Sequence, residues 1–257
     1  MSGYVYDQTF TEERARLAGM EAQWDPGTFR HVESLDLPAS ASCWEIGGGG
    51  GSVAAWLAER FEHVLVTDVD TRFLEPLAGP RVTVERHDVV GDPLPDGKVD
   101  LVHARLVLEH LPQRDAVLDR LLTVIQPDGW LLIEDYDWSS FGVDPPSEVA
   151  VRVSDAVIDF MVEAGFDPQF GRRLLSGLRG RGLAETGAEG RTLAMGTEHP
   201  GTAFYRFSLM SLSDAVVSRG TVTQAEVNEV LEEMEASERI ITSPSMVAAW
   251  GRAAPRG

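Results

Sequence analysis

Five consecutive glycines, Gly47 to Gly51, directly follow the short apolar stretch Cys43-Trp44-Glu45-Ile46. Without a Cβ, such a run lets a backbone turn sharply and come close to a ligand. The positions after it, Val53, Ala54, Trp56 and Leu57, have helical spacing. A strand, a glycine turn and a helix in that order open the nucleotide-binding α/β layouts. The next apolar run, His63 to Thr67, ends at Asp68, 21 residues beyond Gly47. That spacing puts a carboxylate where it can accept hydrogen bonds from a ribose diol. A third run, Arg81 to Arg86, ends near Asp88.

The alternation continues. Val99 to His103 reads as a fourth strand and Trp130 to Glu134 as a fifth, after the turn Pro127-Asp128-Gly129. Phe73, Leu74 and Leu77 suggest a helix between the second and third strands, and Leu106 to Ile125 a helix interrupted at Pro112. Strands alternating with helices imply a doubly wound, mostly parallel α/β sheet with right-handed crossovers. Its ligands bind beyond the carboxyl ends of the strands. The residues expected there are Glu45, Asp68, Asp88, His103 and Asp135.

Elsewhere the pattern is helical. Thr9 with Glu12 fits a capping box for a first helix carrying Leu17, Met20 and Trp24, which Pro26-Gly27 is expected to end. A second short helix would hold His31, Val32 and Leu35. Val149 to Ala164 is a helix stopped by Gly165; Arg191 to Gly196 and Met246 to Trp250 read as late strands. Between these lie helices over 203–218 and 224–236, the second capped by Thr223 with Glu226. The expected organisation is an N-terminal helical lid over 1–40, an α/β core over 41–196, a helical insertion over 197–245, and a final strand and tail over 246–257.

Charge and composition narrow the ligand. The formal net charge of −19 repels phosphate backbones, which argues against nucleic acid as a partner. No stretch has the roughly 20 apolar residues of a membrane span, and Met1 to Phe10 lacks the pattern of a signal peptide, so a cytoplasmic protein is expected. Cys43 is the single cysteine, expected as a core thiol, and no clustered metal-ligand motif stands out. The dinucleotide fingerprint Gly-x-Gly-x-x-Gly fails, because its sixth position is Ser52 or Val53. A Walker loop needs a lysine, and Lys98 is the only one in the chain. A phosphate-free nucleoside ligand fits better.

The stretch from Cys43 to Asp137 resembles the class I S-adenosylmethionine-dependent methyltransferases. The resemblance rests on Glu-x-Gly-x-Gly-x-Gly at Glu45 to Gly51, Val-Thr-Asp-Val-Asp around Asp68, and His87-Asp88-Val89. It continues through Asp100 to Arg105, Leu-Glu-His-Leu-Pro at Leu108 to Pro112, and Pro-Asp-Gly-Trp at Pro127 to Trp130, where Pro-Gly-Gly is usual. It is closest to the small-molecule branch that includes ubiquinone and natural-product tailoring enzymes. The resemblance implies a seven-stranded Rossmann-like fold, S-adenosylmethionine as cofactor and a small-molecule acceptor, methylated on oxygen in the leading expectation. Gly47, Gly49 and Gly51 would lie under the methionine part, and Glu45 would orient that loop or the amino group. Asp68 would hold the ribose, with Val69 beside the adenine and Asp88 and Val89 reading it. His103 and Ala104 would contact the methionyl group. Arg105 would either bind its carboxylate or form a structural ion pair.

Methyl transfer is an in-line displacement, so the protein mainly aligns the nucleophile and removes its proton. A base with a pKa near neutrality suits that task. His110 is the candidate base and Asp135 the residue that would orient it; the competing reading of His110 is a capping or core histidine. Two rival functions share these motifs: a non-methylating cyclase on the same fold, and a binding protein without turnover.

Overall fold

Alternating apolar residues along four neighbouring strands bury both faces of a central sheet in the computed structural model, which describes residues 12–236 and 238–255. The sheet contains β1 (Ser42–Ile46), β2 (His63–Asp68), β3 (Val82–Arg86), β4 (Val99–Arg105), β5 (Ile125–Asp137), β7 (Ala184–Arg191) and β10 (Ser245–Arg252). Its order is β3-β2-β1-β4-β5-β10-β7. The first five strands run parallel, and β10 lies antiparallel between β5 and β7. On one face Trp44, Val102, Ala104, Leu131 and Ile133 pack with α3 (Arg114–Leu122) and α5 (Leu174–Gly180). On the other, Cys43, Leu101, Leu132 and Ala248 pack with α1 (Glu13–Ser34) and α2 (Ser52–Arg60). Side chains of opposite parity leave a strand on opposite faces, so each strand feeds two cores.

Above the carboxyl ends of the parallel strands sits a second layer. It is built from α4 (Glu148–Glu163), α6 (Thr202–Val217) and α7 (Gln224–Glu233), which share a core of Val153, Met161, Phe166, Leu212 and Val227. A small antiparallel sheet joins β6 (Gly142–Asp144), β9 (Ile240–Thr242) and β8 (Ala194–Gly196) in the order β6-β9-β8. Thr223 and Glu226 form the expected capping box at the start of α7.

Several local expectations are corrected. α1 runs unbroken through Pro26 and Gly27, so the two expected N-terminal helices are one. Proline removes one helical hydrogen bond, but Trp24, Thr28, His31 and Val32 are all buried around that point, and their packing holds the helix together. Thr9 of the expected capping box lies outside the described residues, and the N-cap Glu12 makes no side-chain cap bond. The helix expected at Phe73–Leu77 is only a turn of 3₁₀ helix over Glu75–Leu77. Another such turn, Leu108–His110, precedes α3. The turn Pro127-Asp128-Gly129 lies inside β5, which extends to Asp137, with Asp128 at φ +66°. The late strand expected at Arg191–Gly196 divides instead: β7 ends at Arg191, and Ala194–Gly196 belongs to the small sheet. As an edge strand, Ala184–Arg191 can be Glu- and Gly-rich, which hides it from an apolar-pattern search.

Candidate active site

One large cleft opens between the strand ends and the helical layer, with about 1280 Å³ between its walls including the open mouth. It has two differently built halves.

The first half is polar and belongs to β1, β2 and the segment after β3. Gly47 and Gly49 line it at φ +69° and +52°, conformations that favour glycine. A Cβ on Gly47 would stand 2.4 Å from the Val107 side chain. The Asp68 carboxylate anchors this loop: Oδ2 accepts from the Gly49 N–H at 2.9 Å and Oδ1 from the Asp70 N–H at 3.0 Å. A carboxylate has about four acceptor sites, so both oxygens keep capacity for a ligand's hydroxyls. Burial raises the Asp68 pKa above its ordinary value. Val69, Asp88 and Val89 line the same half, and the Asp88 carboxylate accepts from the Val90 N–H at 2.9 Å. Gly51, at φ +88°, packs against Leu77 behind the loop and is not among the lining residues.

The second half is largely apolar and aromatic, with Leu111, Tyr136, Trp138, Met161, Phe166 and Phe204 in its wall. His110 stacks on Phe166 with ring centroids 5.1 Å apart. Burial, followed by the charges of Arg16 and Arg114, pushes its pKa down to about 3, so the ring stays neutral across the physiological range. That differs from the near-neutral base expected from the sequence. The expected partner differs too: His110 Nε2 lies 3.5 Å from Glu109 Oε1, whereas the fully buried Asp135 sits outside the cleft lining. The Asp135 carboxyl approaches the backbone N–H groups of Val107 and Glu109 without closing a full hydrogen bond to either.

Beneath the cleft lies a buried ionic network. Glu45, His103, Arg105 and Glu134 leave their strands on the face that α1 covers, which follows from the register pairing Glu45 with His103 and Arg105 with Glu134. His103 Nδ1 is 2.5 Å from Glu45 Oε2, and Nε2 is 3.2 Å from Glu134 Oε2. The Thr28 hydroxyl donates to Glu134, and Arg105 donates to Thr28 at 2.9 Å and to Asp25 at 2.8 Å. Burial alone would depress the His103 ring, but Glu45 and Glu134 outweigh it and hold the pKa near 9. The placement of Glu45, His103 and Ala104 therefore differs from the expected contact with a methionyl group: all three are buried and none lines the cleft. Arg105 lines the cleft and is ion-paired with Asp25, the second of the two roles foreseen for it.

Sequence reasoning missed Glu109 and the α1 residues Glu13, Arg16, Leu17 and Met20, which also line the cleft. Glu109 stands within the Leu108 to Pro112 motif, next to His110. The α1 contribution needs a tertiary contact that no spacing encodes. Among the described residues, no cluster of three or more His, Cys, Asp or Glu side chains fits a metal ion, and no helix is long and apolar enough to cross a membrane.

Comparison with known proteins places this geometry. Residues 44–133 match the model of the methyltransferase domain family. The chain is 34% identical over 168 residues to methyltransferase str2 of Strobilurus tenacellus, covering 63% of this chain and 60% of that protein. It is 28% identical over 194 residues to the 27-O-demethylrifamycin SV methyltransferase of Amycolatopsis mediterranei, covering 65% and 66%. The matched region thus spans under two thirds of these relatives' length. Phosphoethanolamine N-methyltransferase 2 of Haemonchus contortus, solved with phosphomonomethylethanolamine and S-adenosylhomocysteine, superposes with a TM-score of 0.60. That match covers 97% of this chain and 59% of the other at 15% identity, a likeness of fold.

Proposed function

We propose that this chain, whose residues 44–133 match the methyltransferase domain family, is a class I S-adenosylmethionine-dependent methyltransferase that methylates a small-molecule acceptor, on oxygen. The observation that carries the reading is the division of a single cleft into a polar glycine-and-aspartate half and an aromatic half. The first half suits a nucleoside. The Asp68 oxygens have acceptor capacity left for ribose hydroxyls, and the glycine cradle at Gly47 and Gly49 has no side chain to fill it. Asp88, Val69 and Val89 would hold the adenine, and Arg105 would face the carboxylate of the methionine part. When bound, the cofactor supplies an electrophilic methyl on a sulfonium, a leaving group that needs no acid catalysis.

The protein's own share is alignment and proton removal. An apolar wall of Leu111, Met161, Phe166 and Phe204 excludes water and selects an uncharged, largely apolar acceptor. His110, neutral and held by stacking on Phe166, would take up the proton of an acceptor hydroxyl. The 27-O-demethylrifamycin SV methyltransferase acts, by its name, on a small molecule, which supports that class.

The test is incubation with S-adenosylmethionine and a panel of phenolic and alcoholic natural products, followed by mass spectrometry and assay of S-adenosylhomocysteine. A product heavier by one methyl is expected. His110→Ala should lower turnover by roughly 10²–10⁴-fold while cofactor affinity stays constant. A product of unchanged mass rejects methyl transfer, and full turnover in His110→Ala rejects the base.

A further inference from the structure

Glu13 and Arg16 bring a full charge pair into the wall of the cleft. Both side chains are buried, and the pair is bidentate: Arg16 Nε donates to Glu13 Oε2 and Arg16 Nη2 to Glu13 Oε1, each at 2.7 Å. The two residues stand three apart near the start of α1, and with Leu17 and Met20 they form the face of that helix turned to the cleft. Leu17 reaches the glycine loop, 3.4 Å from where a Gly49 Cβ would stand. The Arg16 guanidinium lies toward the other half, its Cζ 5.6 Å from the centre of the Phe204 ring, and its charge is felt at His110. The pair therefore belongs to the apolar, aromatic half.

Stability of the helix does not account for the pair. An acid in the first turn suits the helix dipole, but an arginine one turn in gains nothing from it. Taking both charges out of water commonly costs as much as their attraction returns, so apolar side chains of similar volume would serve the fold as well. In a wall that faces a ligand, such a pair has another use. A site built to hydrogen-bond a hydroxyl or N–H rejects the analogue that lacks it, because the buried polar group is then left unpaired.

We propose that the Glu13–Arg16 pair is the polar anchor of the acceptor chamber, with the Glu13 carboxylate accepting from a second hydroxyl or N–H that the acceptor carries besides the oxygen to be methylated. This rests on the methyltransferase reading and narrows its acceptor class. A carboxylate offers about four acceptor sites, and Arg16 takes one on each oxygen. What the carboxylate has left is acceptor capacity, and its two bonds to Arg16 fix its plane. The pair carries no net charge, so it calls for a hydrogen-bond donor on an uncharged molecule, in keeping with the apolar wall of Leu111, Phe166 and Phe204. Glu13 is the contact, and Arg16 is a positioning residue that holds it ionised and aligned. The second donor would fix which hydroxyl of the acceptor meets the methyl.

The experiment uses the whole protein saturated with S-adenosylhomocysteine and four probes: phenol with one hydroxyl, and catechol, resorcinol and hydroquinone with a second at increasing separation. Dissociation constants are read by ligand-observed nuclear magnetic resonance. At least one diol is expected to bind about tenfold tighter than phenol, the worth of a hydrogen bond to a charged group. The preference should disappear in the double variant Glu13→Leu/Arg16→Met, which removes both charges together and leaves neither unpaired. Circular dichroism checks that this variant folds, and its affinity for S-adenosylhomocysteine should match the wild type. Should it unfold, the wild-type diol series decides alone. Absence of any diol preference in the wild type, or no binding of the four probes, overturns the proposal and leaves the methyltransferase reading intact. A preference that survives the double variant also overturns it, as a purely structural pair would give that result. So does a loss of S-adenosylhomocysteine affinity with the preference retained, which would assign the pair to the cofactor half. Failure of S-adenosylhomocysteine to bind the wild type rejects the underlying reading, and the proposal with it.

Discussion

His103 illustrates how a single residue's surroundings can reverse its expected role. Its fully buried ring is charged because two carboxylates hold it, and Glu134 is correspondingly held down. Burial would raise Glu134, yet His103, Arg105 and Thr28 bring its pKa to about 2. For His103 the folded pKa, about 9, lies above the unfolded value of roughly 6.5. Its contribution is fully present below about pH 6.5 and is lost as pH rises through about 9. Glu134 behaves oppositely: its contribution is present above about pH 4.5 and is lost as pH falls toward 2. The cluster thus favours folding most between these limits. Denaturant unfolding at about pH 6 and about pH 9.5 should show a loss on the order of 3 kcal/mol in the wild type. His103→Gln should remove most of that pH dependence. An unchanged slope in the variant would show that the ring is not the titrating group.

Among the elements, α1 does more than any other to finish the site. It roofs the cleft with Glu13, Arg16, Leu17 and Met20 and covers the ionic network with Thr28. Asp25 is the clasp, accepting from Arg105 at 2.8 Å and from Ser52 at 3.1 Å, and so ties α1 to both β4 and α2. Trp24, completely buried, adds a hydrogen bond to the Tyr136 hydroxyl at 2.7 Å. Asp25→Ala leaves the buried Arg105 charge without its carboxylate. Breaking a buried pair on one side typically costs about 3–5 kcal/mol. Chemical denaturation should find a loss of that order, and limited proteolysis should find α1 cut first. A loss below about 0.5 kcal/mol, the usual range for a surface change, would mean the clasp carries no weight.

For the chain as a whole, cofactor binding and folding are linked. A ligand that binds only the folded state stabilises it by about 2.7 kcal/mol at one hundred times its Kd. S-adenosylmethionine should therefore raise the melting temperature by several degrees at saturating concentration, and NAD should not. Asp68→Ala should shrink the S-adenosylmethionine shift, because affinity drops by roughly 1–3 kcal/mol with the loss of a charged acceptor. It should also loosen the glycine loop, since Asp68 holds the Gly49 N–H. Asp68→Asn, which can keep that loop contact, separates the two effects. An undiminished shift in both variants would remove Asp68 from the cofactor site.

The order of strands, the glycine turn and the aspartates at the strand ends were legible because they are local. Apolar period, glycine placement and the 21-residue step from Gly47 to Asp68 lie along the chain itself. The polar half of the cleft follows from them, and Gly47, Gly49, Asp68, Val69, Asp88, Val89 and Arg105 line it. What needed the tertiary structure was register and depth. Sequence cannot tell that Glu45 lies opposite His103, or that α1 crosses above them, so two polar residues expected at the ligand, Glu45 and His103, became part of a buried ion cluster. Strand lengths depend on the same contacts. β4 and β5 continue to Arg105 and Asp137, which draws His103 and Asp135 inward from the edge and leaves Glu109 at the cleft wall. One residue of strand changes the face on which a side chain emerges. Only packing against neighbouring elements decides which carboxylate meets which histidine.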